Sequence, residues 1–129
     1  MRRLAPSRRD FVGSLAATAG LFHIVPRHVL GRGYRAPSDT LNVACIGVGG
    51  MGRNDVRGME GENLVALCDV DWNAAEDAFR SYPKARRYRD YREMLDKEKD
   101  LDAVVIATPD FWHSQQTVDC LKAGKHVYC

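Results

Sequence analysis

A chain of 129 residues with 45% hydrophobic and 28% charged residues is long enough for one domain and too apolar for disorder. The net charge of +2 conceals an asymmetry: residues 1–40 hold seven arginines against Asp10 and Asp39, a balance of +5, and the remainder carries −3. A basic head on a mildly acidic body excludes a nucleic-acid-binding body and sets the N-terminus apart. The four cysteines form no CxxC pair and no Cys/His cluster at zinc spacing, so neither a metal site nor a disulfide framework is expected. Cys45 and Cys68 fall inside β-like apolar runs and read as buried free thiols.

In chain order, "MRRLAPSRRDFVGSLAATAGLF" opens with a basic stretch and continues with a weakly apolar run from Phe11 to Phe22. That run is too short for a bilayer, which needs about 20 apolar residues, and has the shape of a signal peptide. "SRRDFVG", Ser7 to Gly13, resembles the twin-arginine export motif, departing from its usual Leu and Lys at Val12 and Gly13. The resemblance implies an export receptor as partner and a periplasmic destination. Ala17-Thr18-Ala19 is a candidate cleavage site. This route carries folded proteins, so a cofactor loaded in the cytoplasm travels with its protein. Residues 24–40, with two Pro and two Gly and no period, read as a linker or arm.

From residue 41 the pattern alternates. Asn42 to Gly47 is a short continuous apolar run, as a buried parallel strand requires, and a helix is predicted from about Gly50 to Met59. Asn63 to Asp69 is a second buried strand. Trp72 to Ser81 is helix-prone with Asp71 as its N-cap, and Pro83 stops it. Ala85 to Arg89 is a weak third strand at an edge, and Asp90 caps a short helix. Leu101 to Thr108 is the fourth strand, closed by Pro109. Asp110 to Ala123 suits a helix with Gly124 at its end, and Lys125 to Cys129 begins a fifth strand. Strands and helices alternating in this way predict an α/β fold, a doubly wound parallel sheet of order 3-2-1-4-5, truncated after the fifth strand: a Rossmann fold.

Gly47-Val48-Gly49-Gly50-Met51-Gly52 matches G-x-G-x-x-G between a strand and a helix, the setting that motif needs. Gly47 allows the tight turn, Gly49 lets the backbone approach a pyrophosphate, and Gly52 lets the helix pack against the strand. Gly50 and Met51 sit at the helix start, whose unpaired N–H groups face the phosphates. Asp69, 22 residues after Gly47 at the end of the second strand, is placed to accept hydrogen bonds from a ribose diol. Its charge repels a 2′-phosphate, and Val70, Asp71 and Trp72 rather than an arginine follow it; both points favour NAD over NADP. Trp72 either flanks the adenine or takes a surface or core place. Thr108, Pro109 and Asp110 lie at the carboxyl end of the fourth strand, across the switch point, where the nicotinamide half belongs. His113, in the first turn of the next helix, either faces cofactor and substrate or is an ordinary helix-start histidine.

"CIGVGGMG", "VALCDVD", "VVIATPDFWH" and "CLKAGKHVYC", in this order over residues 41–129, resemble the N-terminal half of the Gfo/Idh/MocA oxidoreductases, the glucose–fructose oxidoreductase and inositol dehydrogenase family. The resemblance implies NAD(P)-dependent hydride transfer at a carbinol carbon of a sugar or polyol, by a full-length homo-oligomer. It places the family's working Lys, in Glu-Lys-Pro, just beyond Cys129, and the substrate domain with a catalytic His after that. No catalytic residue is therefore expected within this chain, which reads as a piece of a longer enzyme. Two other functions stay open: a glycosidase of similar fold that uses bound NAD transiently, and a non-catalytic dinucleotide-binding module. A methyltransferase fits less well, because the complete glycine motif is shaped for a pyrophosphate.

Overall fold

The computed structural model describes Ala36 and residues 39–129. The twin-arginine stretch, the candidate cleavage site and nearly all of the arm lie outside the described residues.

The elements are β1 (Asn42–Ile46), α1 (Gly52–Gly58), β2 (Asn63–Cys68), α2 (Glu76–Ser81), β3 (Arg86–Tyr88), α3 (Tyr91–Lys97), β4 (Ala103–Ile106), α4 (Asp110–Lys122) and β5 (His126–Tyr128). All strand pairs are parallel, in the order β3-β2-β1-β4-β5. β1 is the centre: Cys45 pairs with Leu67 on one side and Val105 on the other, and Ile46 with Cys68 and Ile106.

Period-two alternation divides the apolar strand residues between two cores. Val43, Cys45, Leu67 and Val105 point to one face, where Val56 of α1 and Ala78 and Phe79 of α2 cover them. Ala44, Ile46, Ala66, Cys68, Val104 and Ile106 point to the other, under Tyr91, Met94 and Leu95 of α3 and Cys120 of α4. Strands buried on both faces must read as continuous apolar runs, and this is why the sheet shows so clearly in the sequence.

Most element boundaries differ from the sequence expectation by a residue or more, and at the starts of α1 and α2 the reason is local. α1 begins at Gly52 rather than Gly50, because Gly50 has φ +52°, outside a right-handed helix. α2 begins at Glu76 rather than Trp72. Asp71 does cap, but it caps a turn: its Oδ1 accepts from the amides of Asn73 (3.0 Å) and Ala74 (3.2 Å). Once those donors are satisfied locally, the helix starts one turn later. β4 is trimmed to Ala103–Ile106, and α4 ends at Lys122, with Gly124 at φ +74° just past the cap residue Ala123.

The sheet's two edges are finished differently. At β3, the Tyr88 hydroxyl donates to Oε1 of the buried Glu98 (2.5 Å), which also pairs with Arg86, so the strand is tied to the end of α3. At β5, His126 and Tyr128 are exposed and Val127 is half-buried. Among the described residues no helix is long and apolar enough to cross a membrane.

Candidate cofactor site

β1 has β2 on one side and β4 on the other, so the chain's crossovers part above its carboxyl end. A cleft of about 630 Å³ opens there, within the usual range for small-molecule sites. The glycine loop forms its floor. Ladder-like bonds continue past the strand ends, from Gly47 N–H to Cys68 C=O (2.8 Å) and from Ala107 N–H to Ile46 C=O (2.8 Å). Gly47 has φ +81°, and a Cβ there would lie 2.8 Å from the Ala107–Thr108 backbone. Gly52 is tighter still: a Cβ would lie 1.9 Å from the Gly47 carbonyl oxygen. Val48, fully buried between these glycines, pins the loop to the α1/α2 core.

Gly49 also has a protein neighbour that the motif does not announce. A Cβ there would meet Ala74 at 3.0 Å, so its bareness serves the packing of the 72–75 turn against the loop. Asp69 is already engaged within the protein. Its Oδ2 accepts from the amides of Val48 and Gly49, both at 2.9 Å, and its Oδ1 accepts from the Asp71 amide at 2.9 Å. An ionised carboxylate offers about four acceptor positions, so one remains, on Oδ1, for a hydroxyl. Among the described residues the amides of Gly50 and Met51 donate no hydrogen bond. They are the loop donors open to a phosphate. One acceptor on the cleft lining, with two open donors in the adjoining turn of the loop, fits the ribose–pyrophosphate part of a dinucleotide.

Of the residues the sequence singles out, Gly47, Gly49, Asp69, Thr108 and Pro109 line the cleft; Gly50, Met51, Gly52, Asp110 and His113 do not. Thr108 is largely engaged within the protein: its hydroxyl donates to Gln116 Oε1 (2.6 Å), and its carbonyl lies 2.5 Å from His113 Nε2, which donates as the Nε2–H tautomer. His113 thus ties the first turn of α4 to the end of β4. Asp110 Oδ1 accepts from the Phe111 amide (2.9 Å).

Sequence reasoning missed Gln116, Phe111, Trp112 and Arg89, all of which line the cleft. A signal for Arg89 existed: it directly follows a parallel strand, and the carboxyl ends of parallel strands lie together at one end of the sheet. Trp72 is not part of the wall; it packs edge-on against Phe79 (5.6 Å between centroids), and Arg89 lies over its ring. Cys68 lies in the floor, its thiol pushed up to about 12 by burial and then by the charge of Asp69, so it stays a neutral thiol. Among the described residues no group of His, Cys, Asp and Glu is arranged to hold a metal ion.

The sequence model of an oxidoreductase family with an NAD-binding Rossmann fold, Gfo/Idh/MocA, matches residues 41–129, which include every element of this site. The chain belongs to the Gfo/Idh/MocA oxidoreductases. NAD is the cofactor of its domain. Among solved structures, the chain is similar to myo-inositol 2-dehydrogenase from Lactobacillus plantarum, with TM-score 0.64 and 33% identity over 70% of this chain and 27% of that one. It is also similar to scyllo-inositol dehydrogenase from Lactobacillus casei, solved with NAD(H) and scyllo-inositol: TM-score 0.61, 27% identity, 68% of this chain and 27% of that one. Among curated proteins, the α-N-acetylgalactosaminidase of Shewanella oneidensis is 30% identical over 89% of this chain and 28% of its own length. The chain spans roughly a quarter of these Gfo/Idh/MocA relatives.

Proposed function

We propose that this chain is the cofactor-binding part of an exported NAD-dependent oxidoreductase that moves a hydride to or from a carbinol carbon of a sugar or polyol. The observation that carries this is Asp69, bound to the amides of Val48 and Gly49 in a loop whose next two amides, Gly50 and Met51, are open, at a cleft also lined by Thr108 and Pro109. When bound, NAD supplies the hydride acceptor. The chain's own residues bind and orient: loop amides hold the pyrophosphate, Asp69 takes a ribose hydroxyl, and the β4–α4 wall faces the reacting end. Among the described residues no lysine lines the cleft, and the family resemblance assigns the carbinol proton to a Lys just past Cys129. The likeness to inositol dehydrogenases supports the polyol class. The "SRRDFVG" stretch supports export, with periplasmic work on a cofactor acquired before crossing.

A second reading, a glycosidase that oxidises and re-reduces its sugar on bound NAD, is favoured by the α-N-acetylgalactosaminidase relative. Net chemistry separates the two. Purified full-length protein, incubated with NAD and a panel of polyols, sugars and glycosides, accumulates NADH with a free polyol or sugar if it is a dehydrogenase. It releases free sugar without net NADH if it is a glycosidase. Neither product, from protein that binds NADH, would leave a non-catalytic binding module and refute both.

A further inference from the structure

Directly after Asp69 the sequence offers no basic residue to receive a phosphate on the adenosine ribose. The fold supplies one from the next strand. Asp69 N–H donates to the Tyr88 carbonyl (3.1 Å), which sets the end of β3 beside the end of β2, and the residue after Tyr88 is Arg89. Arg89 lines the same cleft as Asp69. Its guanidinium carbon lies 4.8 Å over the Trp72 ring, and Trp72 is braced edge-on by the buried Phe79.

This stack fixes the plane of the guanidinium without consuming its N–H donors. Four other arginines of the domain are paired with carboxylates: Arg53 with Asp77, Arg80 with Glu76, Arg86 with Glu98 and Arg92 with Asp90. Among the described residues Arg89 has no carboxylate partner. A planar cation held on an aromatic face, on a residue that lines the cleft and with no carboxylate to occupy its donors, suits bidentate binding of a phosphate. The nearby carboxylate is also softened, because three backbone N–H groups share the charge of Asp69.

We propose that Arg89 is a specificity-determining residue that seats the 2′-phosphate of NADP, so that this domain takes NADP as a second and weaker cofactor, with Asp69 setting the preference for NAD. The proposal rests on the cofactor site and is independent of which reaction the enzyme performs.

Calorimetric titration of the full-length protein with NAD and with NADP tests it, using Arg89→Met, Asp69→Ala and the double variant, each checked for folding by circular dichroism. The parent binds both cofactors, NADP the more weakly. Arg89→Met raises the Kd for NADP about tenfold more than the Kd for NAD, the size of one lost charge-assisted contact. Asp69→Ala weakens NAD and shifts the NAD/NADP ratio toward NADP by about tenfold or more, and adding Arg89→Met removes that shift. If Asp69→Ala does not fold, Arg89→Glu on the parent decides instead, by abolishing NADP binding while NAD binding persists. Equal effects of Arg89→Met on the two cofactors would overturn the proposal and leave Arg89 as a surface under the adenine. No NADP binding by the parent at about 1 mM, with NAD bound, would overturn it as well. Failure of the parent to bind NAD would remove the cofactor site itself.

Discussion

On the β2–β3 side of the cleft, one carboxylate accepts from three amides, a buried valine anchors the loop, and an arginine lies on a braced indole. On the β4–α4 side, the polar groups of Thr108 are turned inward to Gln116 and His113, and the wall is finished by Phe111, 76% exposed, and Trp112, 44% exposed. The first side presents fixed donors and acceptors, which is what a charged, extended ligand needs. The second presents apolar rings whose area is of use only when something covers it. The two halves of one cleft therefore differ in physics: fixed donors and acceptors on the β2–β3 side, and exposed apolar rings on the β4–α4 side.

The contrast breaks most readily at Gly52. Substitution by Ala drives a methyl group to within 1.9 Å of the Gly47 carbonyl oxygen, and because both partners are backbone, the loop must move off β1. We expect a loss of about 3 kcal/mol in denaturant-monitored stability together with loss of NADH binding by fluorescence transfer. A variant that keeps both would show that the loop is not held by this contact.

The buried thiols sharpen the comparison. Burial, assisted by the charge of Asp55, pushes Cys45 from 9.0 to about 12, and burial with Asp69 pushes Cys68 from 9.0 to about 12. Below pH 9 both thiols are protonated whether the chain is folded or not. As pH rises from 9 toward 12 only the unfolded chain releases these protons, so stability falls across that window. At a pH of about 10 the loss is roughly 1.4 kcal/mol per thiol, read from chemical unfolding at stepped pH. At neutral pH a thiol reagent should label Cys129, which is exposed, and spare Cys45, Cys68 and Cys120. Rapid labelling of Cys68 would mean that the β2–β3 side opens far more than its hydrogen bonds imply.

The smallest effect belongs to the other wall. Phe111→Ser should change domain stability by no more than about 0.5 kcal/mol, because the ring gives up little buried area. A cost of several times that in the full-length protein would show that the ring is covered there, and would turn the exposed wall into an interface.

Much of this site was legible without coordinates. G-x-G-x-x-G after an apolar run, and Asp69 at the end of the next such run, are local patterns, and a strand buried on both faces announces itself by continuous hydrophobicity. Less legible were the start of α2, where one Asp71 carboxylate diverts the chain into a turn, and the close approach of Ala74 to Gly49.

What the amino-acid order determined by itself was the parallel alternation of strands and helices, the turn at Gly47 and the acid of Asp69, because each depends on residues close together in the chain. What tertiary structure alone decided was the company these groups keep: Asp69 gripping Val48 and Gly49, Arg89 laid over Trp72, His113 bound to Thr108. In the first two, the partners are 17 to 21 residues apart, brought together where parallel strands end side by side. Sequence spacing does not encode which loop donors a carboxylate will satisfy; packing the strand ends against one another does.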